Sequence, residues 1–262
     1  MPADTPAPET MTSLVIGGIG AQVRVEITGP QADELHQLLA HAWSRCVDAP
    51  QGPAGELVRI DTVMGVEPAH LLPGITQQVT HALIGAQVRR LLMLHAGAVC
   101  HPTTGRSLVY VAEGGTGKTT LTRVLARHYG YLTDETVGID ADHRVLAYPK
   151  PLSVRAPGGA RPKQEHSPDD LGLVRPPAET QVARLVLLDR EDGHGDEPDV
   201  AELDLLDAIT ALAPQTSALY ALPIGLRRCA ELIEATGPVL RVRYAEAESM
   251  RGLAADLIGP VE

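Results

Sequence analysis

Residues 112–120 read Ala-Glu-Gly-Gly-Thr-Gly-Lys-Thr-Thr. The run lies between an apolar stretch at 107–111 and a helical pattern, beginning near Gly117, that puts Leu121, Val124, Leu125 and His128 on one face. A glycine-rich turn opening a helix aims successive backbone N–H groups at one point, where the helix dipole favours an anion. Glu113, Gly114, Gly115, Thr116, Gly117, Lys118, Thr119 and Thr120 are therefore the candidates to wrap a triphosphate. Lys118 is placed to reach the β- and γ-phosphates, and the Thr119 hydroxyl to take a Mg²⁺ position. The usual pattern begins with glycine where this chain has Ala112, but Gly114, Gly115 and Gly117 still free the backbone where it must curl. The expectation is a nucleoside triphosphate site with ATP and Mg²⁺ as its ligands.

Asp134 and Glu135 follow Lys118 just beyond a helix of suitable length. Two readings fit them. One carboxylate holds Mg²⁺ while the other accepts a proton from an attacking hydroxyl, or the pair is a surface turn. Asp189 ends an apolar run at 182–188, as does the metal-holding carboxylate of many P-loop NTPases, yet Arg190-Glu191-Asp192-Gly193 after it has the composition of a solvated turn. His95 lies between small residues ahead of the P-loop strand, either packed in the core or beside the phosphates. Lys150 and Arg155 are phosphate or substrate contacts, or solvated cations.

The elements that must position these residues follow from periodicity. Residues 1–11 look like a disordered tail. A strand or hairpin over 13–28, turning at Gly17, Gly18 and Gly20, precedes a helix over 30–46 with Leu35, Leu38, Leu39 and Ala42 inward, then a strand over 57–64. This predicts a small α+β unit over 12–67 and a catalytic domain over 68–262. Within the latter, the pattern gives a helix over 74–92, strands at 94–99, 107–111, 182–188 and 239–244, apolar pieces either side of Asp134 and Glu135, and helices near 201–213, 225–236 and 246–258. Strands alternating with helices imply an α/β fold around a twisted sheet. The proline- and glycine-rich residues 156–180 read as structureless, either a mobile lid that orders over the site or a passive insert, with Arg161, Lys163 and His166 as their charges.

Composition narrows the partners. The 262 residues are 44% hydrophobic, enough for a substantial core, and carry a net charge of −11. Residues 189–207 hold nine acids against Arg190, expected as a solvated loop and helix face. Neither feature suits a nucleic-acid backbone. Cys46, Cys100 and Cys229 are widely spaced, against a disulfide framework or a zinc site. With no apolar run of membrane-spanning length and no secretory pattern in residues 1–10, the expectation is a soluble cytoplasmic protein.

Three segments together carry a resemblance: His95-Ala96-Gly97-Ala98-Val99, the P-loop through Leu121, and Gly130-Tyr131-Leu132-Thr133-Asp134-Glu135-Thr136-Val137. In this order they resemble the catalytic core of HPr kinase/phosphorylase, and still more the short HPr-kinase-like serine kinases of peptide natural-product clusters, lasso-peptide clusters among them. Tyr148-Pro149-Lys150-Pro151-Leu152 and Gly237-Pro238-Val239-Leu240-Arg241-Val242 fit the shorter group, so the resemblance spans roughly residues 90–258. It implies a P-loop kinase domain of the HPr-kinase/PEP-carboxykinase-like type around a twisted mixed sheet. It also implies Asp134 as catalytic base, Glu135 as Mg²⁺ ligand, His95 as a site residue, and no need of Asp189. The family usually has two aspartates where this chain has Asp134 and Glu135, and its arginine-containing signature loop for the phosphorylase reaction has no counterpart here. The implied activity is transfer of the ATP γ-phosphate to a peptide or small-molecule hydroxyl. A homo-oligomer is compatible with it. The competing expectation is a regulatory or assembly NTPase without an acceptor.

Overall fold

The structure, a computed structural model, describes residues 11–47, 52–154 and 164–261. The chain forms two compact units, one of residues 1–86 with 150–167 and the other of residues 87–149 with 168–262. The expected boundary at residue 67 thus falls inside the first unit, which also takes most of the helix that follows and regains a later stretch of chain.

In the first unit, β1 (Met11–Gly18) and β2 (Ala21–Thr28) form an antiparallel hairpin. Its turn is Ile19-Gly20, both at positive φ, the two-residue geometry whose twist matches the flanking strands. Val23, Val25 and Ile27 point inward at alternate positions of β2 and are fully buried. After α1 (Ala32–Ala42) and the short α2 (Ser44–Val47), β3 (Val58–Asp61) joins β2 in parallel. The helix expected over 30–46 is therefore two, parted at the buried Trp43, and Ala32 joins Leu35, Leu39 and Ala42 on the buried face while Leu38 is only half-buried. The helix α3 (Leu72–Gln87) follows.

The second unit is built on a mixed sheet. Its strands are β4 (Leu92–Cys100), β5 (Arg106–Val111), β6 (Gly130–Thr133), β7 (Thr136–Ile139), β8 (Val145–Leu146), and, beyond two strands of the first unit, β11 (Gln181–Arg190), β12 (Asp199–Glu202), β13 (Thr216–Ser217) and β14 (Leu240–Tyr244). The two intervening strands, β9 (Leu152–Val154) and β10 (Gln164–His166), pair antiparallel in the first unit. The order across the sheet is β12-β14-β11-β5-β4-β7-β8, with β6 and β13 also on β4. The strands β14, β11 and β5 run parallel, whereas β4 and β7 are antiparallel to their neighbours. Helices α4 (Lys118–Leu125), α5 (Leu205–Leu212), α6 (Gly225–Thr236) and α7 (Met250–Ile258) accompany the sheet. Leu94, Ala96, Val109, Val111, Leu132, Val137, Leu185, Leu232 and Val239 meet in its core.

Two expectations change here. The acid-rich stretch 189–207 is not only loop and helix: Asp199–Glu202 is an exposed edge strand, antiparallel to β14, with Asp199 opposite Arg243. Charged residues on an edge discourage pairing with another chain. The stretch 156–180 is not structureless throughout. Arg155, Pro157, Gly158, Gly159, Arg161, Pro162 and Lys163 lie outside the described residues. Beyond them His166 ends β10, and the backbone from 173 to 180 is bonded into the second unit: Val174 N–H donates to the Ala126 carbonyl, Tyr131 N–H to Val174, and Val145 N–H to Thr180. Prolines prevent regular structure there, but buried backbone polar groups still require partners and find them.

Candidate functional site

The parallel strands β5, β11 and β14 all end on one side of the sheet, and the P-loop leaves β5 there. Ligands of open α/β sheets collect beyond such carboxyl ends. Gly115 (φ +89°) and Gly117 (φ +102°) take backbone conformations that L side chains rarely adopt, which lets the loop curl onto the first turn of α4. Glu113, Gly114 and Gly115 are exposed, and Thr116 Oγ1 donates to the Glu113 carbonyl at 2.9 Å to close the turn. Lys118 is buried, with Nζ donating to the carbonyl oxygens of Ala112 (2.5 Å) and Glu113 (3.1 Å). Burial pulls its ammonium below the ordinary lysine value, while Asp134 and Glu135 push the other way. The buried face of α4 is Leu121, Thr122 and Leu125, not the expected Leu121, Val124, Leu125 and His128, because the helix ends at Leu125 and Thr122 turns inward. Thr120 is exposed.

Asp134 and Glu135 form no surface turn. They interrupt what is otherwise one strand along β4: Thr136 pairs with His95 and Thr133 with Ala98, leaving two residues on each side between them. Those on β4 are Ala96 and Gly97, and Ala96 N–H donates to the Glu135 carbonyl at 3.1 Å, so the ladder continues past the acids. Thr133 Oγ1 accepts from the backbone N–H groups of Glu135 (3.3 Å) and Thr136 (3.4 Å), fixing the bend. Asp134 is buried, with Oδ2 accepting from Thr119 Oγ1 at 2.8 Å and Oδ1 from the Tyr131 hydroxyl at 3.3 Å. Glu135 is half-buried. His95 stands among these groups. Burial and the Lys118 ammonium hold its imidazole below the ordinary histidine value, against Glu135, Asp134 and a hydrogen bond to the Glu135 backbone.

Behind the site, Gly97 lies opposite Tyr110 on β5, and a Cβ there would come within 2.2 Å of the Tyr110 ring. The missing side chain lets Tyr110 cross β4 and reach Thr122 Oγ1 (2.6 Å), which in turn donates to the Lys118 carbonyl (2.9 Å). Sequence reasoning missed Tyr110, Thr122 and Tyr131. The small residues Ala96, Gly97 and Ala98 beside His95 were the one available signal of a close crossing.

The structure thus brings Lys118, Thr119, Asp134, Glu135 and His95 together, while Asp189 is exposed and lies opposite Arg243 next to the last residue of β11. Lys150 is no solvated cation: it is buried in the first unit, and its Nζ donates to the Pro151 carbonyl at 3.1 Å. Among the described residues no cluster of three histidine, cysteine or acidic side chains is placed to hold a metal, and no helix is long and apolar enough to cross a membrane. The three cysteines are free and buried.

No family model matches the chain, and no curated protein matches it. Among solved structures it is similar to the HPr(Ser) kinase/phosphatase from Coxiella burnetii, at 11% identity and a TM-score of 0.36, over 64% of this chain and 99% of that one.

Proposed function

We propose that the protein is an ATP-dependent phosphotransferase that delivers the γ-phosphoryl group to a hydroxyl, that of a serine in a peptide or protein or of a serine-like small molecule. The observation that carries the reading is the 2.8 Å hydrogen bond from Thr119 Oγ1 to Asp134 Oδ2. It joins the hydroxyl beside an anion-accepting loop to a buried carboxylate. Thr119, Asp134 and Glu135 offer hard oxygen donors of the kind Mg²⁺ prefers, and the bound ion would supply charge neutralisation. Lys118 would exchange two backbone carbonyls for phosphate oxygens, a contact that restores the charge burial disfavours.

Transfer to a hydroxyl also needs a group to take its proton as the O–P bond forms and the bond to the leaving diphosphate breaks. The resemblance assigns that task to Asp134 and metal binding to Glu135. The Thr119 contact favours the reverse division, with Asp134 on the metal side and the less buried Glu135, beside His95, facing the acceptor. Incubation with ATP labelled at the γ-position and a panel of serine-containing peptides and small hydroxyl compounds tests the activity. Label on an acceptor supports the phosphotransferase, and label found only in free phosphate makes the protein an NTPase.

A further inference from the structure

The end of β11 carries a residue that the sequence pattern assigns to solvent and the fold turns back to the P-loop. Arg190 ends β11 and Tyr244 ends β14, in register with each other, and Glu191 N–H donates to the Tyr244 carbonyl at 2.9 Å. These strand ends hold the Arg190 side chain over the loop. A Cβ built on Gly117 would lie 3.6 Å from Arg190 Nη1, 3.8 Å from its Cδ and 3.9 Å from the Tyr244 hydroxyl. The guanidinium is anchored at one corner, where Nε donates to the Ala245 carbonyl at 3.0 Å. Its Nη2 stands 3.9 Å from Asp192, a side chain that is 96% exposed and a weak competitor in water. Nη1, the nitrogen nearest Gly117, makes none of these contacts.

We propose that Arg190 is a second phosphate-binding cation of this site, presenting Nη1 to the triphosphate whose β- and γ-phosphates Lys118 reaches. The inference rests on the nucleotide reading above. Geometry favours a phosphate over another acceptor: an arginine fixed at Nε keeps a rigid pair of donors for an anion, and Gly117, 3.6 Å from Nη1 at its ideal Cβ position, belongs to the turn whose N–H groups gather that anion. Gly117 contributes through its positive φ, which shapes the loop beside the guanidinium.

Titration calorimetry with ATP and with inorganic tripolyphosphate, on the full chain and on Arg190→Gln, tests it. A charge-assisted hydrogen bond predicts about 10- to 100-fold weaker binding of both ligands by Arg190→Gln, with partial recovery in Arg190→Lys. The unliganded variants should melt close to the wild type, which separates ligand contact from a purely structural clamp. Unchanged binding by Arg190→Gln overturns the proposal, as does loss confined to ATP, which would place Arg190 on the nucleoside. Lys118→Ala marks the other failure: if the wild type binds neither ligand, or Lys118→Ala binds as well as wild type, it is the nucleotide reading itself that falls.

Discussion

The Tyr110 hydroxyl and Thr122 Oγ1 lie 2.6 Å apart, both buried, and through the Lys118 carbonyl they tie the second β-strand of the sheet core to the first turn of α4. The candidate phosphate site therefore rests on a fixed floor, with the orientation of Lys118 and Thr119 set from below by a tyrosine that no sequence motif advertises. Gly97 makes this arrangement sterically allowed.

Gly97→Ala should therefore destabilise the fold. Its methyl would have to displace an aromatic ring within a sheet, an overpacking cost of about 1–3 kcal/mol. Tyr110→Phe keeps the ring and removes only the hydroxyl, costing about 1 kcal/mol. Urea denaturation measures both, and a double variant with Tyr110→Ser should lose less than the sum, because the smaller side chain vacates the clash.

The acid pair separates by kinetics. Removing the proton acceptor should lower turnover by about 10²- to 10⁴-fold at unchanged ATP affinity, whereas removing a metal ligand should raise the Mg²⁺ concentration needed for half-maximal rate. The Thr119 contact predicts the metal effect for Asp134→Asn and the turnover effect for Glu135→Gln. The opposite pattern restores Asp134 as base, and a loss larger than either in Asp189→Asn removes the acid pair from the mechanism.

Lys118→Ala should abolish phosphoryl transfer and weaken ATP binding, since no other lysine lies in the loop. Activity within a few-fold of wild type, measured by label transfer, would exclude the P-loop from the chemistry.

His95 gives the fold a pH dependence of definite sign. Its pKa is lowered in the folded state, so as pH falls below about 6.5 the unfolded chain takes up a proton that the folded chain resists, and stability declines. Above that range both states hold neutral imidazole and the effect vanishes. Urea midpoints at about pH 7.5 and about pH 5.5 should differ less in His95→Gln than in wild type.

Burial pushes the thiols of Cys46 and Cys100 up to about 12 and raises that of Cys229 as well. None should react with a soluble thiol reagent until the protein unfolds, when all three should. Rapid labelling of any one in the native protein would contradict its burial.

Much of the second unit is legible in the sequence because its signals are local: an apolar run, a glycine turn and a helix face announce β5, the P-loop and α4 within twenty residues. What escapes depends on contacts between distant segments. The strand Asp199–Glu202 has the composition of a solvated loop, and only the register with β14 makes it a strand. Arg190 looks like a turn residue because nothing in Arg190-Glu191-Asp192-Gly193 records that Gly117 lies beside it. Residues 173–180 lack any period, yet bonds to Ala126, Tyr131 and Val145 hold them in place. The acid pair was visible as a pair, but its setting opposite Ala96 and Gly97 follows from pairing alone.

That pairing has a consequence for engineering the chain. Thr133 and Thr136 are each committed to a partner on β4, so the stretch between them behaves as a ruler of fixed length. Deleting one residue there must break one of the two pairings or turn an acid to the other face of the sheet. The exposed residues Gly195, Asp196 and Glu197 carry no such commitment and are the place for a tag or reporter. A library that varies length should accumulate survivors at 195–197 and none between 133 and 136, whatever side chains it samples.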